Sequence, residues 1–353
     1  MKWVKWTAIV LGVAILAALS AGFLYLEHLR PSYRGELRMA GLQEEVEVLF
    51  DEYGIPHIYV QNETDLYFAL GYVHASERLF QMEMIRRAVS GRLSEILGKD
   101  LIETDRFFRT LSISEAARTA AAGWPGDPQA LTSYQSAALA YLAGLNHYVA
   151  TGKTPVEFTL IGIPKEPFTV QNLYEVAGYM AFGFAEGIKM DPLIEKIRTE
   201  LGAPYLKDFV LHHREGDQVI PVSPPFVQAT GASLSAHVHR IVESLPVSPF
   251  IGSNAWVIAP SRSASGSVIH ANDPHIGYGQ PAVWYEAHLE APGTSMYGYF
   301  LAGFPFAILG HNRYAAVGIT MFENDDLQFY RETLHPEDSL RVKFRDEWET
   351  MQV

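Results

Sequence analysis

The stretch from Ile251 to Ala259 constrains the chain most. It reads Ile-Gly-Ser-Asn-Ala-Trp-Val-Ile-Ala. Apolar, partly β-branched residues run unbroken from Ala255 to Ala259, and Pro260 and Ser261 close them, which predicts a β-strand. Ser253 stands at its start, directly after Gly252. If the chain were cut between Gly252 and Ser253, the freed α-amine would sit on the same residue as the hydroxyl. An α-amine titrates near ~8, so part of it is free base at neutral pH. One residue would then supply both nucleophile and base. An ordinary strand-initiating serine is the other reading, and these nine residues alone do not separate the two.

Of the 353 residues, 48% are hydrophobic, enough for the core of one large domain or two ordinary ones. A net charge of −13 argues against nucleic acid as a partner. With no cysteine, the chain has no disulfide, thiolate nucleophile or cysteine-held metal. Lys2 and Lys5 precede an uncharged, mostly apolar run over 6–26, and Glu27, His28 and Arg30 end it. Those 21 residues suffice to span a bilayer. The basic side stays in the cytoplasm, so the rest is exported. An uncleaved anchor is favoured over a signal peptide cut near Ala18 and Ser20. The chain stops at Trp348–Val353 with no closing element, and a piece of a longer chain is expected.

After a polar stretch to residue 45, Val46–Phe50 and His57–Val60 predict strands around a turn at Asp51–Pro56. A long helix follows, capped by Thr64 or Asp65 and ended by Gly91, with Glu77, Arg78, Glu83, Arg86 and Arg87 as its solvated face. Further helices are expected at Thr132–Ala150 and Gln171–Ala185, and from an Asp191-Pro192 start to Gly202. Prolines and serines make 203–252 a linker or removable spacer. Beyond it, strands are expected at Asn254–Ala259, Val268–Ala271, Ala282–Leu289, Met296–Ala302, Tyr314–Thr320 and Leu327–Tyr330. Ser261–Gly266 forms a hairpin turn between the first two.

The residues alone offer few sites. No serine sits in a G-x-S-x-G elbow, and there is no H-E-x-x-H or phosphate-binding loop. His270, Asp273 and His275 are close enough in sequence to suggest a metal-dependent hydrolase, without a strong ligand spacing. Glu323-Asn324-Asp325-Asp326 is an oxygen-rich turn, suited to calcium or simply to solvent.

Four ordered stretches carry a resemblance. They are Asp51–Tyr59; Gly71-Tyr72-Val73-His74-Ala75-Ser76-Glu77-Arg78-Leu79-Phe80-Gln81-Met82-Glu83-Met84; Gly252–Ile258; and Gly310-His311-Asn312 with Gly318-Ile319-Thr320. Across about 46–335 the chain resembles the penicillin acylases, N-terminal-nucleophile hydrolases whose family includes the acyl-homoserine-lactone acylases. The resemblance implies an α+β fold, an αββα sandwich whose C-terminal portion lies outside this chain. After the anchor or signal read at 1–26 and the juxtamembrane linker at 27–45, it implies a mostly helical α chain at 46–202, a spacer at 203–252 and the start of an antiparallel β chain from 253.

It also implies self-cleavage between Gly252 and Ser253, giving an α/β heterodimer from one precursor. Ser253 attacks an amide carbonyl, and an acyl-enzyme forms and is hydrolysed. The oxyanion takes donors from the Met321 backbone N–H, from His275, and from an asparagine falling beyond Val353. Met180, Phe184, Ile276, Leu309 and Ile319 would line an acyl pocket. Calcium would be held by Asp325, the Leu327 carbonyl and Gln328. Gln328 stands where the family often has an aspartate, and Lys189 stands near the family's α-chain glutamate position, with Glu186 close by. The substrate is a small N-acyl compound: a penicillin, an N-acyl-homoserine lactone or an acyl-amino compound. The alternative from another class is a non-maturing binding or scaffold member of the same fold.

Overall fold

A computed structural model describes residues 2–185, 187–202, 204–206, 228–243, 245, 250–321 and 332–351. The chain divides into two units, 1–182 with 245–321, and 183–244 with 322–353. In the first, helix α1 (Lys2–Leu29) is exposed along nearly its whole length. Its Trp3–Leu29 stretch, mean hydropathy 2.4, is long and apolar enough to cross a membrane.

Strands β1 (Glu47–Phe50) and β2 (Pro56–Tyr59) pair antiparallel. Asp51 closes their turn, its Oδ1 accepting from the N–H groups of Tyr53 and Ile55, each at 2.9 Å. Helix α2 (Glu63–Val89) follows. Its cap is Asn62, two or three residues before the expected Thr64 or Asp65; Asn62 Oδ1 accepts the Asp65 N–H at 2.8 Å. Asp65 is instead buried, and its carboxylate accepts from the N–H groups of Gln43 and Glu44, each at 2.9 Å. It therefore ties down the chain entering the fold.

Three of the charges expected on the solvated face of α2 are buried: Glu83, Arg86 and Arg87. Arg87 Nε donates to Glu83 Oε1 at 2.6 Å, Arg86 also bonds Glu83, and Arg86 Nη1 reaches the Pro167 carbonyl at 3.0 Å. Helical spacing marked them as one face. That the face meets other elements, with each charge paired, is a tertiary fact.

Short helices α3 (Ser94–Leu97), α4 (Ile102–Leu111) and α5 (Ile113–Ala122) come next, followed by α6 (Ser133–Thr151), α7 (Val156–Ile161) and α8 (Val170–Phe184). A capping box between Thr132 and Gln135 starts α6. Helices α2 and α6 cross backbone to backbone. A methyl group at Gly71 would meet the Tyr141 carbonyl oxygen at 2.0 Å, and one at Gly144 the Phe68 carbonyl oxygen at 1.9 Å.

Strands β3 (Phe250–Ile258) and β4 (Ile269–Ile276) form a separate antiparallel ribbon, turning through the expected 261–266 segment. β5 (Trp284–Ala291), β6 (Thr294–Leu301), β7 (Leu309–Asn312) and β8 (Ala316–Val317) complete a six-stranded sheet of order β1-β2-β5-β6-β7-β8. β2 and β5 run parallel; the other pairs run antiparallel. The strand expected over Tyr314–Thr320 is only Ala316–Val317, and its partner begins earlier, at Leu309. Ile58, Tyr285, Ala287, Leu289 and Phe300 line the sheet's buried face. Against it, the His74 ring of α2 stacks on Tyr285 with centroids 4.3 Å apart, and the Tyr141 hydroxyl of α6 lies 3.0 Å from His74 Nδ1.

In the second unit, α9 (Gly187–Glu200) begins before the expected Asp191-Pro192 start and keeps Pro192 inside it. Helix α10 (Gln228–Glu243) packs against α9 and occupies much of the expected spacer. Val238 and Ile241, three apart, are buried on it. A hairpin of β9 (Arg341–Phe344) and β10 (Glu347–Thr350) lies near the C-terminus, where no closing element was expected. The strand expected at Leu327–Tyr330 lies outside the described residues.

Two consequences are measurable. Replacing Gly144 by alanine forces α6 off α2 and lowers stability by about 1–3 kcal/mol or more, read as a lower urea midpoint. His74 is buried, and burial, reinforced by Arg78, lowers its pKa to about 3. The unfolded chain binds that proton near ~6.5, so stability is full above that value and falls as pH drops toward about 3. Removing the ring in His74→Leu flattens the pH dependence of urea unfolding across that window by up to one proton.

Candidate active site

Ser253 lies within β3, three residues after the strand begins at Phe250, and faces Pro274 across the ribbon. The register shifts between Phe250 and Gly252, so the ladder is irregular beside the Gly252–Ser253 bond. The Met321 backbone N–H donates to Ser253 Oγ at 2.9 Å. Met321 follows 318–320, which run on from β8 without strand pairing.

Asn272 holds that segment. Its Oδ1 accepts the Ile319 N–H at 2.9 Å, while its Nδ2 donates to the Ile319 carbonyl at 2.8 Å and to the Asn254 carbonyl at 3.0 Å. The approach is close enough to require Gly318. A methyl group there would lie 2.9 Å from Asn272 Cβ and 2.7 Å from His270 Nε2.

His275 pairs with Gly252 on the neighbouring strand. Alternation puts Ser253, Ala255 and Asn272 on one face of the ribbon, and Asn254, Asp273 and His275 on the other. His275 Nε2 lies 3.0 Å from Asp273 Oδ2 and 3.2 Å from Asn254 Nδ2. A proton on Nε2, donated to the carboxylate, leaves the lone pair on Nδ1. A methyl group on Gly252 would sit 3.4 Å from that Nδ1. The ring thus flanks Gly252 from the face opposite the Ser253 side chain.

His270 shares the Asn272 face, away from Asp273 and His275. Alternation therefore separates the trio read as a metal set, and no group of three or more metal-ligating side chains converges among the described residues. The calcium candidates Asp325, Leu327 and Gln328 lie outside the described residues, as does Glu186; Lys189 falls within α9.

Of the acyl-pocket residues, Ile319 joins the site through Asn272, and Ile276 ends β4 next to His275. Met180 is half-buried on α8, and Leu309 is buried on β7. Phe184 ends α8 within the second unit. The hydrogen bonds and strand pairings that gather Gly252, Ser253, His275 and Met321 do not include these three. A cavity of about 840 Å³, lined by Arg30, Tyr33, Arg78, Tyr148, Lys153 and Pro281 among others, contains none of the site residues. Asn272 is the site residue that sequence reasoning missed. Its signal was present in the 270–275 stretch, where alternation separates His270 and Asn272 from Asp273 and His275.

The model of the penicillin amidase family matches residues 45–353. The penicillin acylase 2 proenzyme of a Pseudomonas species is 32% identical over 334 residues, covering 90% of this chain and 41% of that protein. The acyl-homoserine lactone acylase QuiP of Pseudomonas aeruginosa is 30% identical over 324 residues, covering 88% and 37%. Penicillin G acylase of Escherichia coli is 28% identical over 346 residues, covering 83% and 40%. The chain spans about two fifths of the length of these curated relatives. A thermostable penicillin G acylase from Alcaligenes faecalis aligns in structure with 51% of this chain and 98% of its own, at 24% identity and a TM-score of 0.39. That score carries no fold argument, and kinship rests on the sequence matches. On the match across 45–353, this chain belongs to the penicillin amidase family.

Proposed function

We propose that this chain belongs to an N-terminal-nucleophile amidohydrolase precursor that cuts itself before Ser253 and then cleaves N-acyl compounds. The observation that carries this reading is the Met321 N–H donating to Ser253 Oγ at 2.9 Å, directly after Gly252. A serine oxygen that already faces a fixed backbone donor has a partner for the negative charge that attack creates nearby. Family membership and relatives named as acylases support the same chemistry.

In self-cleavage, Ser253 Oγ attacks the Gly252 carbonyl carbon. A C–O bond forms, the C–N bond breaks, and the serine proton ends on the departing nitrogen. Water hydrolyses the resulting ester, leaving a Gly252 carboxylate and a free Ser253 amine. That amine then takes the hydroxyl proton when Oγ attacks a substrate amide and gives it to the leaving nitrogen as the C–N bond breaks; water hydrolyses the acyl-enzyme ester to a carboxylic acid and frees Ser253. The Met321 N–H stabilises the oxyanion, with the backbone N–H of His275, the residue paired with Gly252, as a second donor; the His275 ring lies on the opposite face of the ribbon.

The products are an α chain and a β chain, and the complete fold is an αββα sandwich. Ile276 and Ile319, which adjoin the site, are the apolar residues offered to an acyl group, and the substrate is a β-lactam, an N-acyl-homoserine lactone or a related acyl-amino compound. Asp325, Leu327 and Gln328 are the residues to examine for calcium, and no chemical step runs through it. Helix α1, with Lys2 and Lys5 ahead of its apolar run, supports export and membrane anchoring.

The test is Ser253→Ala in the full-length protein. We expect one uncut band on a denaturing gel and amide hydrolysis lowered by about ten-thousand-fold or more, with thermal melting close to wild type. Splitting at the same bond, or retained hydrolysis, contradicts the reading.

A further inference from the structure

The segment that carries the Met321 donor has no ladder of its own. Pairing on β8 ends at Val317, and 318–321 run on outside any strand. The Asn272 carboxamide supplies the missing rung. It accepts from the Ile319 N–H at 2.9 Å and donates to the Ile319 carbonyl at 2.8 Å, as a neighbouring strand's peptide group would. Its second N–H goes to the Asn254 carbonyl at 3.0 Å. Both of its donors are therefore used.

The two ends of this bridge matter. Asn254 adjoins the nucleophile, and Ile319 lies two residues before the donor. One planar group thus spans the structure from the strand of Ser253 to the segment of Met321. One residue before the first anchor and two after the second, the Met321 N–H meets Ser253 Oγ at 2.9 Å. Gly318 permits the approach, since any side chain there would collide with Asn272 Cβ and His270 Nε2.

We propose that Asn272 is a positioning residue, whose carboxamide holds the Met321 N–H beside Ser253 Oγ, next to where the oxyanion forms when Oγ attacks. This rests on the reading of Ser253 as the nucleophile. Aspartate has the same shape and still accepts from the Ile319 N–H. It cannot donate to the Ile319 and Asn254 carbonyls, and it turns a carboxylate oxygen toward them. Loss of a whole oxyanion donor costs about 10²–10³ in rate, and a displaced donor less.

The experiment uses full-length precursor and compares wild type, Asn272→Asp and Gly318→Ala. Self-cleavage is followed on gels, and kcat and KM are measured per titrated active site on one chromogenic phenylacetyl amide. We expect maturation slowed and kcat lowered about 10- to 100-fold in both variants. KM should stay within about threefold, and the shape of the pH–rate profile should be unchanged, because the α-amine base is untouched. Counting only titrated sites removes any loss from partial misfolding. If Asn272→Asp yields too little folded protein, Gly318→Ala, which displaces the same segment from the other side, is read by the same criteria. Wild-type kcat per site, or an effect on KM alone, overturns the assignment of Asn272 while leaving Ser253 as nucleophile. Failure of wild-type protein to split overturns the Ser253 reading instead.

Discussion

The backbone amide of Met321 pointing at the hydroxyl of Ser253, 2.9 Å away, is the contact on which the site depends. A main-chain donor holds its direction only as well as the chain around it is held. Here the chain on one side is a two-stranded ribbon and on the other an unpaired segment after β8. A carboxamide and a glycine join the two. The geometry is thus made from backbone and one short side chain, and Met321 contributes nothing through its identity to this donor.

The ribbon also separates two chemical surroundings. On the Ser253 face lie Ala255, Asn272 and Pro274, with His270 further along, and the incoming 318–321 segment. On the opposite face His275 Nε2 lies 3.0 Å from Asp273 Oδ2 beside Gly252, with Asn254 next to it. The peptide bond between Gly252 and Ser253 therefore has the nucleophile on one side and an imidazole held by a carboxylate on the other. The shift of register falls just before this bond, between Phe250 and Gly252, while Gly252 and Ser253 themselves pair with His275 and Pro274. Behind the neighbouring sheet, α2 and α6 approach so closely that two glycines are required where they cross. The His74 ring packs α2 on the sheet, while Glu83, Arg86 and Arg87 are buried against one another and the Pro167 carbonyl.

Much of this was legible in the order of residues. The strand holding Ser253, its hairpin with β4, the long α2 and α6 all follow from periodicity and turn residues. Four spaced motifs identified the family. What periodicity cannot supply is which face of an element meets another. Glu83, Arg86 and Arg87 looked like solvent-facing charges because their burial depends on partners such as the Pro167 carbonyl, far along the chain. Helix α10 was hidden by the prolines and serines around it, although Val238 and Ile241 keep helical spacing. His270, Asp273 and His275 looked like a cluster in sequence, yet a strand sends neighbours to opposite faces. The same alternation brings out Asn272, whose partner Ile319 is 47 residues away.

The central claim is that Ser253 becomes a chain end. N-terminal sequencing of the larger fragment of purified, mature full-length protein tests it most directly. The account predicts a sequence beginning Ser-Asn-Ala-Trp-Val, with Ser253 first. A single uncut chain, or a fragment beginning at any other residue, contradicts it.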